Sequence, residues 1–569
     1  MRSVLLVALL AVGAGCGRDP APPTAPAPPD PDWFRDATAE LGIDWKLAVG
    51  PTDGYPMPQV MGAGVALFDA DGDGRLDIFA LSNAGPKAAA THALFLQTAD
   101  GKFRAAGPAC GLCVPGHGMG VAVGDVDNDG RPDVYVSEFG GGKLFRNTGG
   151  GTFRDATASA GVSVPGWGTS CAFCDYDRDG WLDLALVTYV DYDPSRRCAG
   201  GTGKLDFCHP NEFQGTSARL FRNRGVAPDG QWLGFTDVTA ASGLGAKPSN
   251  GLGIVCADFD GDGWPDIFAA NDYRANHLWL NNKDGTFTER GVERGVAFNA
   301  HGSRLANMGV ALADLHNHGR GDVFVTHLAE ELHTLWKHEP LGAFRDTTAA
   351  AGLGAPRRRG TGFGTIGIDF DHDGNVDLAV ANGRVSRSRG APPEGTRPDL
   401  PAFWRDYAER NQLFAGTGGG KFRDISGPET AFCRAAAVAR GLAWGDLDGD
   451  GAIDLVTTEI EGPLRVFKNV APKAGHWLLV RAFDPALKRD ALGATVRVRA
   501  GGVTRAAFAL SGQSYCSSGD PRAHFGLGAA TAFDEIEVTW PNGTVEAFPG
   551  GAADRALTVS RGTGRPVRP

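Results

Sequence analysis

A nine-residue aspartate motif recurs along this chain and constrains its fold more than any other feature. In the first copy Asp69, Asp71, Asp73 and Asp77 stand at positions 1, 3, 5 and 9, with Gly74 at position 6. Four carboxylates this close together repel one another unless a cation lies between them. Glycine at position 6 lets the backbone turn sharply enough to bring them together. Because calcium prefers roughly six to eight oxygen ligands at short range, the motif predicts a calcium-binding loop.

Five further complete copies of the motif follow the first. Their aspartates at positions 1, 3, 5 and 9 are Asp125, Asp127, Asp129, Asp133, Asp175, Asp177, Asp179, Asp183, Asp258, Asp260, Asp262, Asp266, Asp369, Asp371, Asp373, Asp377, Asp446, Asp448, Asp450 and Asp454. Together with the first copy they predict about six Ca²⁺ sites. We expect the ions to stabilise the loops, because clustered carboxylates would otherwise push each loop apart.

A seventh copy departs from the pattern. It keeps Asp314 and Asp322 at positions 1 and 9 but has His316 and His318 at positions 3 and 5. Imidazole is a poor ligand for calcium and suits zinc, copper or nickel. Two interpretations are open: a loop without an ion that is held by hydrogen bonds, or a degenerate loop that binds a different metal.

The charge of the chain is concentrated in these motifs. The six complete copies hold four aspartates each, out of 66 acidic residues, and the formal net charge is -11. Six bound divalent ions would bring the protein close to neutrality. Because a surface that binds phosphates needs clustered lysine and arginine, we do not expect a nucleic-acid partner.

Each motif lies in a repeated context of short strands. Apolar runs bounded by glycine precede and follow it, which predicts two buried strands joined by the loop and excludes an EF-hand, where helices flank the loop. Downstream come a Leu-Phe-Arg-Asn-like segment, as at Asn147, and a Phe-x-Asp segment, as at Phe153. The first aspartates of successive motifs are 50 to 83 residues apart. Four strands in such a period are typical of a β-propeller blade.

The position of the last strand predicts how the propeller closes. The seventh unit ends at Asn469 without a Phe-x-Asp segment, and the missing copy stands at Phe34 near the N-terminus. We therefore predict an all-β fold in which residues 33–470 form a seven-bladed propeller. The strand at Phe34 would complete the blade that begins with the last motif, and closure protects the sheet edges.

The chain also contains two insertions and nine cysteines downstream of Cys16. Residues 189–213 and 384–409 lengthen two units, either as functional loops or as covers for a blade face. Cys198 and Cys208 bracket a Gly-rich stretch within the first insertion, and we expect them to form a disulfide bond. The pairing of Cys110, Cys113, Cys171, Cys174, Cys256, Cys433 and Cys516 is left open. A zinc site made from the two CxxC pairs is an alternative to disulfides.

The N-terminus has the pattern of a targeting segment. Residues 1–15 contain one arginine followed by an apolar run that is too short to span a membrane, and Cys16 comes directly after them. This resembles a bacterial lipoprotein signal, apart from Gly13, and implies that Cys16 carries lipid. The Pro/Ala-rich residues 16–32 predict an extended linker. We expect an extracytoplasmic lipoprotein of the cell envelope, at the outer membrane or cell surface, or alternatively a secreted protein.

The repeats resemble the FG-GAP/VCBS repeats of integrin-type propellers, whose aspartate-rich loops bind calcium. Residues 471–560, followed by a predicted tail at 561–569, resemble the ASPIC/UnbV domain. The segments that carry this second resemblance begin at Arg489, Ser511, Asp520 and Val538, and they predict a small β domain. The combination is similar to the cartilage acidic protein (CRTAC-like) family, which implies calcium binding and an extracytoplasmic setting but no defined reaction.

The sequence favours a binding module over an enzyme. We expect an adhesion or ligand-binding role with an extracellular protein or glycan as partner, and contact with a membrane only through the lipid anchor. The alternative is a secreted propeller enzyme, a lyase or hydrolase acting on polysaccharide. For that alternative His117, His209, His301 or Arg384 would face a cleft, but no catalytic motif accompanies them.

Overall fold

The computed structural model describes residues 32–201, 203–388 and 393–567. Cys16, the predicted signal segment and nearly all of the predicted linker lie outside the described residues. Within these ranges the protein is all-β, as predicted, with short helical turns between strands. The α-helices are Met57–Met61, Thr157–Ala160, Thr239–Ser242, Gly291–Arg294 and Ala431–Arg434, and the 3₁₀ helices are Pro108–Cys110, Pro210–Glu212, Leu244–Ala246, Pro340–Gly342 and Ala402–Tyr407. None of the described helices is both long and apolar enough to cross a membrane.

Seven four-stranded antiparallel sheets are present between residues 34 and 469 of the described chain, and we number them as blades one to seven. From the innermost to the outer strand they are Val65–Phe68, Asp77–Ala80, Ala93–Gln97 and Phe103–Ala105 in blade one; Gly118–Gly124, Asp133–Glu138, Lys143–Gly149 and Thr152–Asp155 in blade two; Gly168–Cys174, Asp183–Thr188, Arg219–Asn223 and Phe235–Asp237 in blade three; Gly251–Ala257, Asp266–Asn271, His277–Asn281 and Phe287–Glu289 in blade four. Blade five has Val310–Ala313, Asp322–Val325, Thr334–Glu339 and Ala343–Asp346; blade six has Gly362–Ile368, Asp377–Asn382, Gln412–Gly416 and Phe422–Asp424; blade seven has Ala439–Gly445, Asp454–Glu459, Arg465–Asn469 and Phe34–Asp36.

The blades form a closed ring. The innermost strand of each blade packs against that of the next, and Ala439–Gly445 of blade seven packs against Val65–Phe68 of blade one. Apolar side chains fill the space between neighbouring blades. The prediction for the N-terminal strand is confirmed, because Phe34 pairs with Asn469 and Asp36 with Phe467 in blade seven.

The aspartate motifs and the insertions lie at opposite ends of the ring. Because each blade is antiparallel, the loop between its first two strands and the connection between its second and third strands point in opposite directions. The two insertions meet: Tyr407 donates a 2.6 Å hydrogen bond to Asp206, and Phe207 stacks on Trp404 with ring centres 5.8 Å apart. They therefore cover the end of the propeller away from the motifs. The predicted disulfide between Cys198 and Cys208 is present.

The C-terminal domain consists of two sheets around its own apolar core. One contains His476–Asp484, Arg489–Asp490, Ala523–Gly528 and Arg555–Ser560, and the other contains Thr495–Ala500, Val503–Phe508, Ala532–Thr539, Val545–Ala552 and Arg565–Pro566. The last strand lies within residues 561–569, which the sequence predicts as a tail. It belongs to the domain because it pairs with the strand Val545–Ala552.

Candidate functional site

Backbone amides hold the motif carboxylates in position. In blade one the carboxylate of Asp69 accepts hydrogen bonds from the N–H groups of Gly72, Asp73 and Gly74 at 2.8 to 3.1 Å. Asp77, at position 9, accepts from Ala70 at 2.8 Å and from Gln97 on the third strand at 2.7 Å. The loop is therefore folded around its carboxylates and is tied through position 9 to the third strand of the blade.

The same arrangement recurs in the other blades. At position 9 Asp133, Asp183, Asp266, Asp322, Asp377 and Asp454 each accept a hydrogen bond from a backbone N–H on the third strand. All of them are buried. Position 9 thus has a structural role, in addition to the metal ligation that the spacing predicts. The sequence did not indicate this role, because its partner is a main-chain group.

Two positions of each motif adopt left-handed backbone conformations. The glycine at position 6 does so in all seven copies, with φ between 75° and 96°, which confirms the reason given for it. Position 4 does so as well, at Gly72, Asn128, Arg178, Gly261, Asn317, His372 and Gly449, with φ between 51° and 83°. The glycine and asparagine residues at position 4 were a signal that the sequence reasoning missed.

The carboxylates fit a divalent cation. Oxygen atoms of Asp69, Asp71 and Asp77 lie within 4.8 Å of one another; the same positions come together in blades two and three, and positions 1, 3 and 5 do so in blade four. In blade three one buried oxygen of Asp175 and one of Asp177 have no hydrogen-bond partner. Buried carboxylate oxygens without a donor are costly unless a cation contacts them. Hard oxygen donors in this number are the ligands that calcium prefers.

The pKa values of the motif aspartates also favour a bound cation. Burial, together with the charge of neighbouring aspartates, raises the pKa of Asp77 to about 7 and that of Asp125 to about 6. Burial and nearby carboxylates raise the pKa of Asp183 well above its usual value. Without a cation these carboxylates are therefore harder to ionise than ordinary aspartates. Which aspartates contact an ion stays a prediction.

The histidine-containing loop of blade five has its own arrangement. Nδ1 of His316 lies 2.7 Å from Asp322, and Nδ1 of His318 lies 3.1 Å from Asp314. Burial alone would lower the pKa of His318, but the neighbouring carboxylates of Asp314 and Asp322 raise it to about 9. The ring of His318 therefore lies between two carboxylates in the part of the loop where the complete copies place an aspartate.

The C-terminal domain is docked on the motif end of the propeller. Its side chains bond to the carbonyl oxygens of position-6 glycines: Arg489 to Gly180 and Arg505 to Gly374 at 3.2 Å, and His524 to Gly451 at 3.0 Å. Position-4 side chains bond to some of the same carbonyls from the neighbouring blade, as Asn317 does to Gly374 at 2.9 Å. The turn at position 6 therefore accepts hydrogen bonds both from the loop of the neighbouring blade and from the C-terminal domain.

One segment of the C-terminal domain enters the centre of the ring. We call residues 510–520 the plug. Its hydrogen bonds to the innermost strands join Ser518 to Leu67 of blade one, Cys516 to Val121 of blade two, Ser511 to Phe173 of blade three, Ser514 to Val310 of blade five and to Thr365 of blade six, and Asp520 to Trp444 of blade seven. Tyr515 is fully buried and donates to the carbonyl of Met61 at 3.0 Å. The plug fills the channel that the propeller would otherwise leave open.

A cavity of about 260 Å³ lies between the two domains. Asp69 and Asp71 of blade one and Asp125 of blade two form one wall. The opposite wall belongs to the C-terminal domain and contains Arg481, Lys488, Arg489, Asp490 and Arg522, while the ends of the plug form the floor. Arg481 pairs with Asp490 at 2.5 Å and Arg522 with Asp520 at 2.6 Å. A pocket at a domain boundary, with fixed polar groups, is a usual position for a ligand site.

The four side chains named for the enzyme alternative each have different neighbours. His117 contacts Asn83, the ring of His209 lies 4.4 Å from that of Tyr273 at an angle of 48°, and His301 is exposed. Arg384 pairs with Glu330 and Glu409.

The remaining cysteines also have different neighbours. Sγ of Cys110 lies 3.0 Å from that of Cys113. The thiol of Cys174 contacts Cys256, and Cys171 lies beside Cys516. The two CxxC pairs thus have different closest sulfur neighbours, and their pairing stays open.

The chain matches two families and several known proteins. FG-GAP-like repeats match residues 69–136, 125–186, 201–269 and 258–325, and the ASPIC and UnbV family matches residues 484–566. Cartilage acidic protein 1 of Mus musculus is 27% identical over 386 residues, which are 58% of this chain and 58% of that protein. The Xenopus tropicalis protein of that name is 30% identical over 324 residues, 55% of this chain and 44% of that one. The chain thus spans about half the length of these relatives. A rhamnogalacturonan lyase of Bacillus licheniformis has a TM-score of 0.37 and 13% identity over 78% of this chain and 77% of its own, too weak a likeness to support an argument.

These matches and the fold define the class of the protein: it is an FG-GAP β-propeller with a C-terminal ASPIC/UnbV domain. Within that class it is similar to cartilage acidic protein 1, and its architecture is CRTAC-like, as the sequence predicts.

Proposed function

We propose that the protein is a calcium-dependent, extracytoplasmic ligand-binding module, and that its ligand binds in the cavity between the two domains. The observation that carries the proposal is the composition of this cavity. Its propeller wall contains aspartates of two predicted calcium loops, and its other wall contains four cationic side chains of the C-terminal domain. Calcium in the loops would fix the first wall, and the docked domain fixes the second.

Calcium would control the shape of the cavity through Arg489. This side chain is 5% exposed, bonds to Asn128 at 2.8 Å and to Gly180 at 3.2 Å, and thereby ties the C-terminal domain to the loops of blades two and three. If the loops open when the ion leaves, both partners of Arg489 move. Loss of calcium would therefore change the cavity as well as the stability of the propeller.

The setting fits a role outside the cytoplasm. A disulfide between Cys198 and Cys208 is expected where the environment is oxidising. Cys16 lies outside the described residues, and its lipidation is part of the proposal. Anchored through Cys16 and the linker, the propeller would present the cavity to an extracellular glycan or protein and serve in adhesion.

Calcium binding is tested with the purified full chain. We expect about six equivalents of Ca²⁺, and a melting temperature that falls by several degrees in EDTA, because an ion at about one hundred times its Kd stabilises the folded state by about 2.7 kcal/mol per site. Asp125→Asn should remove one equivalent, whereas Asp229→Asn, at an exposed surface position, should remove none. A melting temperature that EDTA leaves unchanged would refute the calcium part of the proposal.

Ligand binding is tested on an array of neutral and acidic oligosaccharides, with calcium and with EDTA. Lys488→Glu places a negative charge in the cavity and should weaken binding about tenfold, while Lys87→Glu, exposed at the opposite end of the ring, should not. Equal weakening by both variants would place the ligand elsewhere. Release of shortened products from a bound oligosaccharide would support the polysaccharide enzyme instead.

A further inference from the structure

Three donor groups converge in the loop of blade five. Nδ1 of His316 lies 2.7 Å from one carboxylate oxygen of Asp322, and Nε2 of His318 lies 3.3 Å from the other. Ligand atoms from these three residues all lie within 4.8 Å of one another. In a tetrahedral site with metal–ligand bonds of about 2.0 to 2.1 Å, neighbouring donor atoms are about 3.3 Å apart. The contact of His318 has the spacing that such a metal requires, and the shorter contact of His316 is a hydrogen bond that the metal would replace.

A fourth residue orients one of the histidines. Nδ1 of His318 accepts a 3.3 Å hydrogen bond from the backbone N–H of Arg320 and lies 3.1 Å from Asp314, so a proton on this nitrogen would be donated to Asp314 in place of the bond from Arg320. Nε2 of the same ring is buried and has no hydrogen-bond partner. A histidine that binds metal through one nitrogen usually donates its other N–H to a carboxylate or carbonyl. Asp314 is therefore placed to fix the ring with Nε2 directed at the metal.

The burial and charge of the loop also suit a divalent ion. The side chains of Asp314 and Asp322 are 1% and 0% exposed, and those of His316 and His318 are 10% and 17% exposed. Two neutral imidazoles and two carboxylates carry a charge that one divalent ion cancels. The donors are mixed nitrogen and oxygen, which calcium does not favour and which zinc, nickel and copper do.

We propose that His316, His318 and Asp322 form a binding site for a divalent transition metal of the zinc type, oriented by Asp314 and distinct from the calcium loops. Three protein donors leave a fourth position for water. The metal would displace a proton from the loop and brace the docking of the C-terminal domain, because Asp314 also accepts a 3.0 Å hydrogen bond from the backbone of Ala506. This proposal does not depend on the ligand-binding function.

The test uses the full chain, stripped of metal and then saturated with calcium so that the other loops are filled. Titration with Zn²⁺ should show one tight equivalent, and Co²⁺ should give the visible absorption of a four-coordinate site. His316→Ala combined with His318→Ala should lose both signals. The matched control is His209→Ala combined with His301→Ala, which removes two exposed histidines and should leave both signals unchanged.

A second variant keeps the proposal testable if the alanine variant does not fold. His316→Asp combined with His318→Asp rebuilds the motif of the six complete copies, which are compatible with the fold. This variant should lose the zinc equivalent and gain one equivalent of calcium. The same number of tight zinc equivalents in the unaltered chain and in either histidine variant would overturn the proposal, as would the absence of tight zinc binding to the unaltered chain.

Discussion

The side-chain amide of Gln97 donates a 2.6 Å hydrogen bond to the backbone carbonyl of Leu447, 350 residues further along the chain. Gln97 ends the third strand of blade one, and Leu447 is position 2 of the motif in blade seven. Asparagines make the same bond between other neighbouring blades, from Asn147 to Ala70, Asn223 to Val126, Asn281 to Tyr176 and Asn469 to Phe370. The bond from Gln97 is therefore the member of this series that joins the two ends of the ring.

Gln97→Ala should destabilise the propeller by about 1 to 3 kcal/mol. The substitution leaves the carbonyl of Leu447 buried without this donor, and the cost is the desolvation of that group. Chemical denaturation in saturating calcium measures it. Gln231→Ala, at an exposed position, is the control and should change stability by less than about 0.5 kcal/mol. Equal effects would mean that the amide does not contribute to closure.

Phe34→Ala should cost about 3 to 5 kcal/mol and is the most severe single change that we predict for the ring. Phe34 is fully buried, and its ring lies 5.2 Å from that of Phe370 and 5.9 Å from that of Phe432. Removing it creates a cavity where the N-terminal strand joins blade seven. Leu341→Ala, at a side chain that is 90% exposed, should have little effect on the same denaturation curve.

Gly64→Ala should displace the plug. A Cβ atom at Gly64 would lie 1.6 Å from the carbonyl oxygen of Cys516, so the plug or the strand must move. We expect a loss of about 2 kcal/mol or more and faster labelling of the Cys516 thiol, which is now 1% exposed. Mass spectrometry after maleimide treatment identifies the labelled cysteine. Gly354→Ala is the control, since its Cβ would meet nothing closer than 3.6 Å. Unchanged labelling of Cys516 in the Gly64 variant would contradict the prediction.

The elements that the sequence predicted are those with a local and repeated signature. The motif from Asp69 to Asp77 determines its own turn, because its carboxylates bond to amides two to seven residues away. Repetition then gives the blades, and the count of Phe-x-Asp segments assigns Phe34 to blade seven. The calcium hypothesis rests on the same local pattern, and the geometry is compatible with it.

The elements that the sequence did not predict depend on distant main-chain groups. The plug docks through carbonyls such as that of Cys516 and through hydroxyls such as that of Tyr515, and the partners of both are main-chain groups of the propeller. No side-chain pattern indicates such contacts. The cavity also arises only when the two domains meet. The partner of Gln97 is a carbonyl group 350 residues away. Composition and spacing carry no information about such pairs, so only the assembled fold identifies them.

Two buried histidines in blade five should make the calcium-saturated protein less stable when the pH is lowered. Burial lowers the pKa of His327 to about 3 and that of His333 to about 4, against about 6.5 in the unfolded chain. Their side-chain hydrogen-bond partners are neutral: His327 contacts Thr334, and His333 contacts Gln412. Below about pH 6.5 these histidines are protonated in the unfolded chain but stay neutral in the folded chain. Each should therefore lower the free energy of unfolding by about 2 kcal/mol by about pH 5.

His333→Gln isolates one of these contributions. The variant should be less stable than the unaltered chain at about pH 7, but its loss of stability between about pH 7 and pH 5 should be smaller by about 2 kcal/mol. Both chains are measured over the same pH interval in saturating calcium. Any effect of protonating the motif aspartates is then the same in both chains and drops out of the difference. His301→Gln, at an exposed side chain, should leave the pH dependence unchanged. If the His333 variant loses as much stability as the unaltered chain over this interval, His333 is not buried in its neutral form.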